Sequence, residues 1–182
     1  QSQVLPYLKG LAKKGVEIDL VSFEPTGTDP DLVAAEKVRL SDAGLSWHPQ
    51  VRSKSHALGV KVWESSIASM KGLILALKRR PDIVHARSYL PAAVADVVAA
   101  LSPNAKLLFD CRGMLGDEYV DCGNWTTDRI EYKLLKRVER HLFQRTDGLV
   151  VLTDALRRWL VKGGHLGHHT KVQVIPCCVD TD

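Results

Sequence analysis

Leu107-Leu108-Phe109-Asp110-Cys111-Arg112-Gly113, followed by Asp117-Glu118, Gly123 and Trp125, is the stretch on which the fold reading turns. An apolar run that breaks abruptly into Asp, Arg and Gly has the pattern of a central parallel strand whose C-terminal end opens into a site. The spacing predicts a strand over 106–110 and an irregular, Gly-rich stretch from there to Trp125. Long irregular segments in compact domains are commonly functional, so this one is the first candidate for a site.

On either side, strands alternate with helices. An amphipathic helix is predicted over 1–14, with Val4, Leu5, Leu8, Leu11 and Ala12 on one face and Gly15 as its stop. A strand follows over 16–23. Asp29-Pro30 supplies a cap and a first-turn proline for a helix that Gly44 ends. A short strand is predicted over 46–51, and a helix over 65–80 with Ile67, Met70, Leu73, Ile74 and Leu77 turned inward. The remaining elements are a strand over 82–86, a helix over 89–101, a helix over 129–144, a strand over 148–152, a helix over 154–162 and a strand over 171–175. Asp128 with Glu131 suggests a capping box, and Ile130, Leu134, Leu135, Val138 and Leu142 are assigned to the core face of that helix.

Alternating strands and helices imply parallel pairing through right-handed crossovers. The fold class is therefore α/β: a Rossmann-like, doubly wound, mainly parallel sheet flanked by helices. The chain opens on a helix, so a first strand and its loop are expected upstream.

The totals narrow the function classes. One domain is expected from 182 residues. The net charge of +4 is far from the concentrated basic face of a nucleic-acid binder. The greasiest stretch, 92–101, is too short to span a bilayer. Four cysteines at 111, 122, 177 and 178 show no disulfide framework, so reduced thiols in the cytoplasm are expected. His165, His168 and His169 near Cys177 and Cys178 match no standard zinc spacing, and no metal site is assigned. Clusters such as Lys136-Arg137 with Arg140 read as solvated helix faces, with a membrane surface as the minority alternative.

Ligands of open parallel sheets bind outside the carboxyl ends of the strands. Here those ends carry Glu24 and Pro25; His85, Arg87 and Ser88; Asp110, Arg112 and Gly113; Thr153 and Asp154; and residues 176–180. Arginine recognises phosphate and carboxylate in a planar, bidentate way, and carboxylates accept from sugar hydroxyls. The competing reading is a helix-capping Asp and a structural Asp110–Arg112 ion pair.

Four segments then carry a resemblance. The C-terminal Ile175-Pro176-Cys177-Cys178-Val179-Asp180 is similar to the Ile-Pro-Asn-Gly-Val-Asp segment of family 4 glycosyltransferases, with Cys177-Cys178 in place of Asn-Gly. Asp82-Ile83-Val84-His85-Ala86-Arg87 resembles their Asp-Val-Val-His-x-His, with Arg87 for the second His. The run from Thr146 to Thr153 resembles Ala-Asp-x-Val-Ile-x-x-Ser. The opening helix with Gly15-Val16-Glu17-Ile18 resembles the helix and turn after the family's Gly-rich loop. Order and spacing along nearly the whole chain make the case.

The resemblance implies one half of a GT-B fold: residues 1–182 as the N-terminal, acceptor-side domain, with a C-terminal donor-binding domain as its partner. It implies sugar transfer with retained anomeric configuration from a nucleotide-diphosphate donor to a glycan or lipid-linked acceptor. No cofactor or metal is expected, the nucleotide sugar being a substrate. The site residues it points to are Arg112 and His85 near the donor sugar and diphosphate, as catalytic residues. Arg87, Ser88, Asp110, Gly113, Asp117, Glu118 and Trp125 are the substrate-binding set. Many members carry a His where this chain has Arg112. A cytoplasmic location is expected, with peripheral contact at the inner membrane face as an extension of it. No nucleic-acid partner is expected, and this half alone is expected to be catalytically silent. The alternatives are a non-catalytic carbohydrate- or partner-binding module, a GT-B-type nucleotide-sugar epimerase fragment, or a phosphate-ester hydrolase.

Overall fold

The computed structural model describes residues 4–52, 58–102 and 104–177. Gln1 to Gln3 of the opening helix, and Cys178 to Asp182 of the closing motif, lie outside the described residues. The chain forms two compact units, residues 1–64 with 177–182 and residues 65–176. Among the described residues the strands pair in parallel and form one sheet of two strands and one of four.

The first unit holds α1 (Leu5–Ala12), β1 (Ile18–Pro25), α2 (Pro30–Asp42) and β2 (Leu45–Arg52). The caps work as the sequence reads: the Asp29 carboxylate accepts from the Asp31 N–H at 2.9 Å, and Pro30 opens α2. Gly44 follows the helix at φ +81°, a left-handed conformation open to glycine at little cost. β1 and β2 pair from Ile18↔Leu45 to Pro25↔Arg52. Leu8, Leu40, Leu45 and Trp47 form the buried centre. The Trp47 indole N–H donates to Ser22 Oγ at 2.8 Å, satisfying the one polar atom that a mostly buried tryptophan brings inside.

The boundary between the units falls within α3 (Leu58–Arg79), which starts seven residues before the predicted helix. The second unit then runs β3 (Ile83–Arg87), α4 (Tyr89–Ala100), β4 (Lys106–Cys111), α5 (Leu115–Asp121), α6 (Ile130–Arg145), β5 (Gly148–Val151), α7 (Asp154–Lys162) and β6 (Lys171–Val174). Its strand order is β3-β4-β5-β6. Phe109 on β4 is wholly buried, edge-on to Tyr89 at 5.4 Å and stacked on Phe143 of α6 at 6.1 Å.

At the N-terminal end of this sheet, polar groups fix the register. The buried Thr146 hydroxyl bridges the Leu107 and Gly148 carbonyls at 2.8 and 2.6 Å. The Asp147 carboxylate accepts from the Leu107 N–H at 2.9 Å and from Lys106 Nζ at 3.0 Å. Burial would raise the Asp147 pKa, but these donors outweigh it and hold the carboxyl below its ordinary range.

Several expectations need correction. The stretch after β4 contains a helix, α5, whose seven residues are too few for a periodic signal; it packs on α6 at Gly116, where a Cβ would meet Lys136, Tyr132 and Leu135 at 3.3–3.5 Å. On α6, Ile130 and Leu134 are exposed, and the buried positions are Glu139, Leu142 and Phe143. Asp128 forms no capping box: Arg129 occupies the N-cap without a side-chain bond, and its guanidinium takes both Glu131 oxygens at 2.9 and 3.2 Å. On α3, Ile67, Met70, Ile74 and Leu77 are exposed, Leu73 is half-buried and Ala76 is buried. The run Leu73-Ile74-Leu75-Ala76-Leu77 is apolar on every side, so periodicity leaves its phase open. Gly72 lies on the packed side, where a Cβ would come within 3.1 Å of Val98.

Candidate functional site

Parallel pairing of β3 with β4 sets Arg87 opposite Asp110 at the C-terminal ends of both strands. Side chains alternate along a strand, so His85 and Arg87 share one face, with Leu108 and Asp110 beside them on β4. Asp110 is buried, at 5% exposure, yet carries a carboxylate. Two guanidiniums compensate it: Arg112 Nη1 lies 3.4 Å from Oδ1, and Arg87 Nε 3.8 Å from Oδ2. Each arginine keeps about a quarter of its side-chain surface in solvent. Asp110 thus gathers two arginines at the C-terminal ends of β3 and β4. Such a site suits an anionic oxygen-rich group.

His85 retains solvent access, but partial desolvation, the largest influence, pushes its pKa down. Asp110 pulls it upward and Arg87 pushes it further down. The net direction keeps the imidazole neutral at pH 7, able both to donate and to accept.

Ser88 connects β3 to α4 with φ 73° and ψ 166°, a region that L-residues rarely occupy. Its N–H donates to the Asp110 carbonyl at 3.0 Å, and its side chain makes no cap bond to α4. The strained link holds Arg87 beside Asp110. Ser88→Gly is expected to stabilise the fold by about 1 kcal/mol by removing this strain. Denaturant unfolding checks this effect; a destabilised variant contradicts the strain account.

Behind the cluster lies a polar chain. Tyr89 Oη, buried, lies 3.0 Å from the Gly113 carbonyl, 3.0 Å from Glu139 Oε2 and 3.5 Å from Cys111 Sγ. Glu139 is buried and paired with Lys136 Nζ, which also donates to Asp117 Oδ2 at 3.0 Å. Tyr132 Oη donates to the other Asp117 oxygen at 2.9 Å. Burial drives the Tyr89 pKa strongly upward, with Cys111 and Glu139 adding to it, so the phenol stays protonated. Burial likewise pushes the Cys111 thiol up, away from nucleophilic chemistry.

The predicted site residues therefore divide. Arg87, Ser88, Asp110 and Arg112 come together, with His85 on the same face and Gly113 next in line. Gly113 is hemmed by Glu118, whose carboxylate occupies the place a Cβ would need. Asp117 turns to α6, where Tyr132 and Lys136 take both of its oxygens. Trp125 stacks on the exposed ring of Tyr119 at 4.5 Å. Tyr89, Glu139 and Lys136 escaped the sequence reading. Glu139 had a signal: it sits between Leu135 and Leu142 on the inward face of α6, where an unpaired acid would be untenable.

The family described as Glycosyltransferase Family 4 matches residues 3–182. The chain belongs to this family. Comparison with curated protein sequences returns no match. The α/β architecture, with parallel sheets flanked by helices, is that of a Rossmann-like half of a GT-B enzyme. Among the described residues of this family 4 domain, no helix is long and apolar enough to cross a membrane.

Proposed function

We propose that this family 4 domain is the acceptor-side half of a retaining glycosyltransferase, working with a C-terminal donor-binding domain. It transfers a sugar from a nucleotide-diphosphate donor to a glycan or lipid-linked acceptor, in the cytoplasm or at the inner membrane face. The observation that carries the reading is the Arg87–Asp110–Arg112 cluster at the ends of β3 and β4.

The chemistry follows from charge. Cleavage of the donor's glycosidic C–O bond leaves a diphosphate with growing negative charge. Preorganised cations aimed at that charge lower the barrier more than they favour the ground state. Arg112 is the residue assigned to that role, held in place by Asp110. Neutral His85 is suited to hydrogen-bond a sugar hydroxyl beside it. No metal or cofactor is assigned.

Retention is tested by proton NMR of freshly formed product from the complete protein, using nucleotide-diphosphate hexoses with glycan and polyprenyl-phosphate-linked acceptors. Product with the donor's anomeric configuration supports the proposal; inverted product overturns it. Sugar binding without transfer favours a binding module. Residues 1–182 alone are expected to turn over no nucleotide sugar, since on this reading the donor is held by the C-terminal domain, and measurable turnover by them contradicts this assignment.

A further inference from the structure

Arg112 lies on a three-residue connection between β4 and α5, a placement that by itself leaves a long side chain free to wander. Both flanks of the connection are fixed from behind. The Gly113 carbonyl faces Tyr89 Oη at 3.0 Å and Cys111 Sγ at 3.3 Å. Asp117, in the first turn of α5, is held by Tyr132 and Lys136 of α6. The two anchors are one network, because Lys136 also pairs with Glu139, and Glu139 meets the Tyr89 hydroxyl at 3.0 Å.

We propose that Tyr89 is a positioning residue for sugar transfer: through the Gly113 carbonyl it sets the direction of Arg112. The inference rests on the transferase reading and extends it by one residue behind the reacting groups. A buried carboxylate and phenol with a half-buried ammonium are a costly way to hold a helix, since apolar packing of the same shape often does so as well. What apolar packing cannot do is fix the orientation of one peptide group. The Gly113 carbonyl belongs to the peptide that joins Gly113 to Met114, one residue past Arg112, so fixing it pins the connection that carries the Arg112 side chain beside Asp110. A misplacement near 1 Å is enough to cost up to about 100-fold in rate.

Tyr89→Phe retains the ring, its edge contact with Phe109 and the Lys136–Glu139 pair, and removes only the hydroxyl. Two readouts are taken on the complete protein. One is the nitrogen-15 NMR signal of Arg112 Nε, assigned by its loss in Arg112→Lys. The other is kcat and KM for transfer. Tyr89→Phe is expected to shift and sharpen the Arg112 signal, and to lower kcat about 10- to 100-fold with a smaller change in KM.

An Arg112 signal that does not move overturns the positioning role, whatever happens to activity. A signal that moves while kcat holds leaves the geometric link intact and refutes a role for Arg112 in transfer. If Tyr89→Phe does not fold, Cys111→Ala removes the second donor facing the same carbonyl. The same shift, smaller in size, is then expected, and its absence counts against the inference.

Discussion

Arg112→Ala is expected to lower kcat/KM for sugar transfer by 10²- to 10³-fold in the complete protein, while lowering folding stability by no more than about 1–2 kcal/mol. The asymmetry follows from what the guanidinium leaves behind. Asp110, buried in the ground state, keeps Arg87 as a cation at 3.8 Å and remains compensated. On the proposed function, the departing diphosphate loses the cation assigned to it when its charge is largest, about 3–4 kcal/mol for that fall in rate. Denaturant unfolding and steady-state kinetics on one preparation separate the two effects. Equal losses of fold and turnover reduce Arg112 to a structural ion pair.

Lys136→Met is the substitution with the largest expected effect on stability. Glu139 is 3% exposed, and Lys136 Nζ is the cation paired with it. Removing that cation leaves the buried Glu139 carboxylate beside the Tyr89 phenol, at a cost of about 3 kcal/mol. For a protein of this length that corresponds to a drop of about 6–12 °C in Tm. The double variant Lys136→Met with Glu139→Leu is expected to recover most of the loss, because the charge requiring compensation is gone. A double variant as unstable as the single one contradicts this account.

The same network sets the alkaline limit of the fold. Burial pulls the Lys136 pKa down, but its bonds to Glu139 and Asp117 more than reverse this, and the net direction is upward. Tyr89 is raised by burial, and Tyr132 is raised chiefly by its bond to Asp117. Each group keeps its proton in the folded protein to higher pH than in the unfolded chain. Their stabilisation is complete below the unfolded values, about 10 for tyrosine and lysine, and is lost as pH rises through the folded ones. Stability is therefore expected to fall from about pH 10 upward, and less steeply in Lys136→Met.

The strand frame was legible because buried parallel strands announce themselves locally. Phe109-Asp110 changes from apolar to charged where β4 ends, and Asp29-Pro30 and Gly44 bound α2 as caps should. The residues gathered at the sheet end were legible for the same reason, since strand ends and parallel register are enough to juxtapose Arg87 and Asp110. What tertiary contacts decide was not legible. Lys136 reads as part of a solvated basic cluster beside Arg137, and only the buried Glu139 turns it inward. α5 is set by Gly116 against α6, with too few residues to show a period. Ile130 and Leu134 follow helical spacing on α6, yet the phase of burial is fixed by Glu139 and Phe143.

On the proposed function, the cluster at the ends of β3 and β4 receives the donor's diphosphate. Titrating the complete protein with a nucleoside diphosphate, while recording the side-chain NMR signals of Arg87, Arg112 and His85, tests it most directly. All three signals are expected to move together, along one saturation curve. A ligand that saturates the protein and supports transfer while leaving these three signals in place would contradict it.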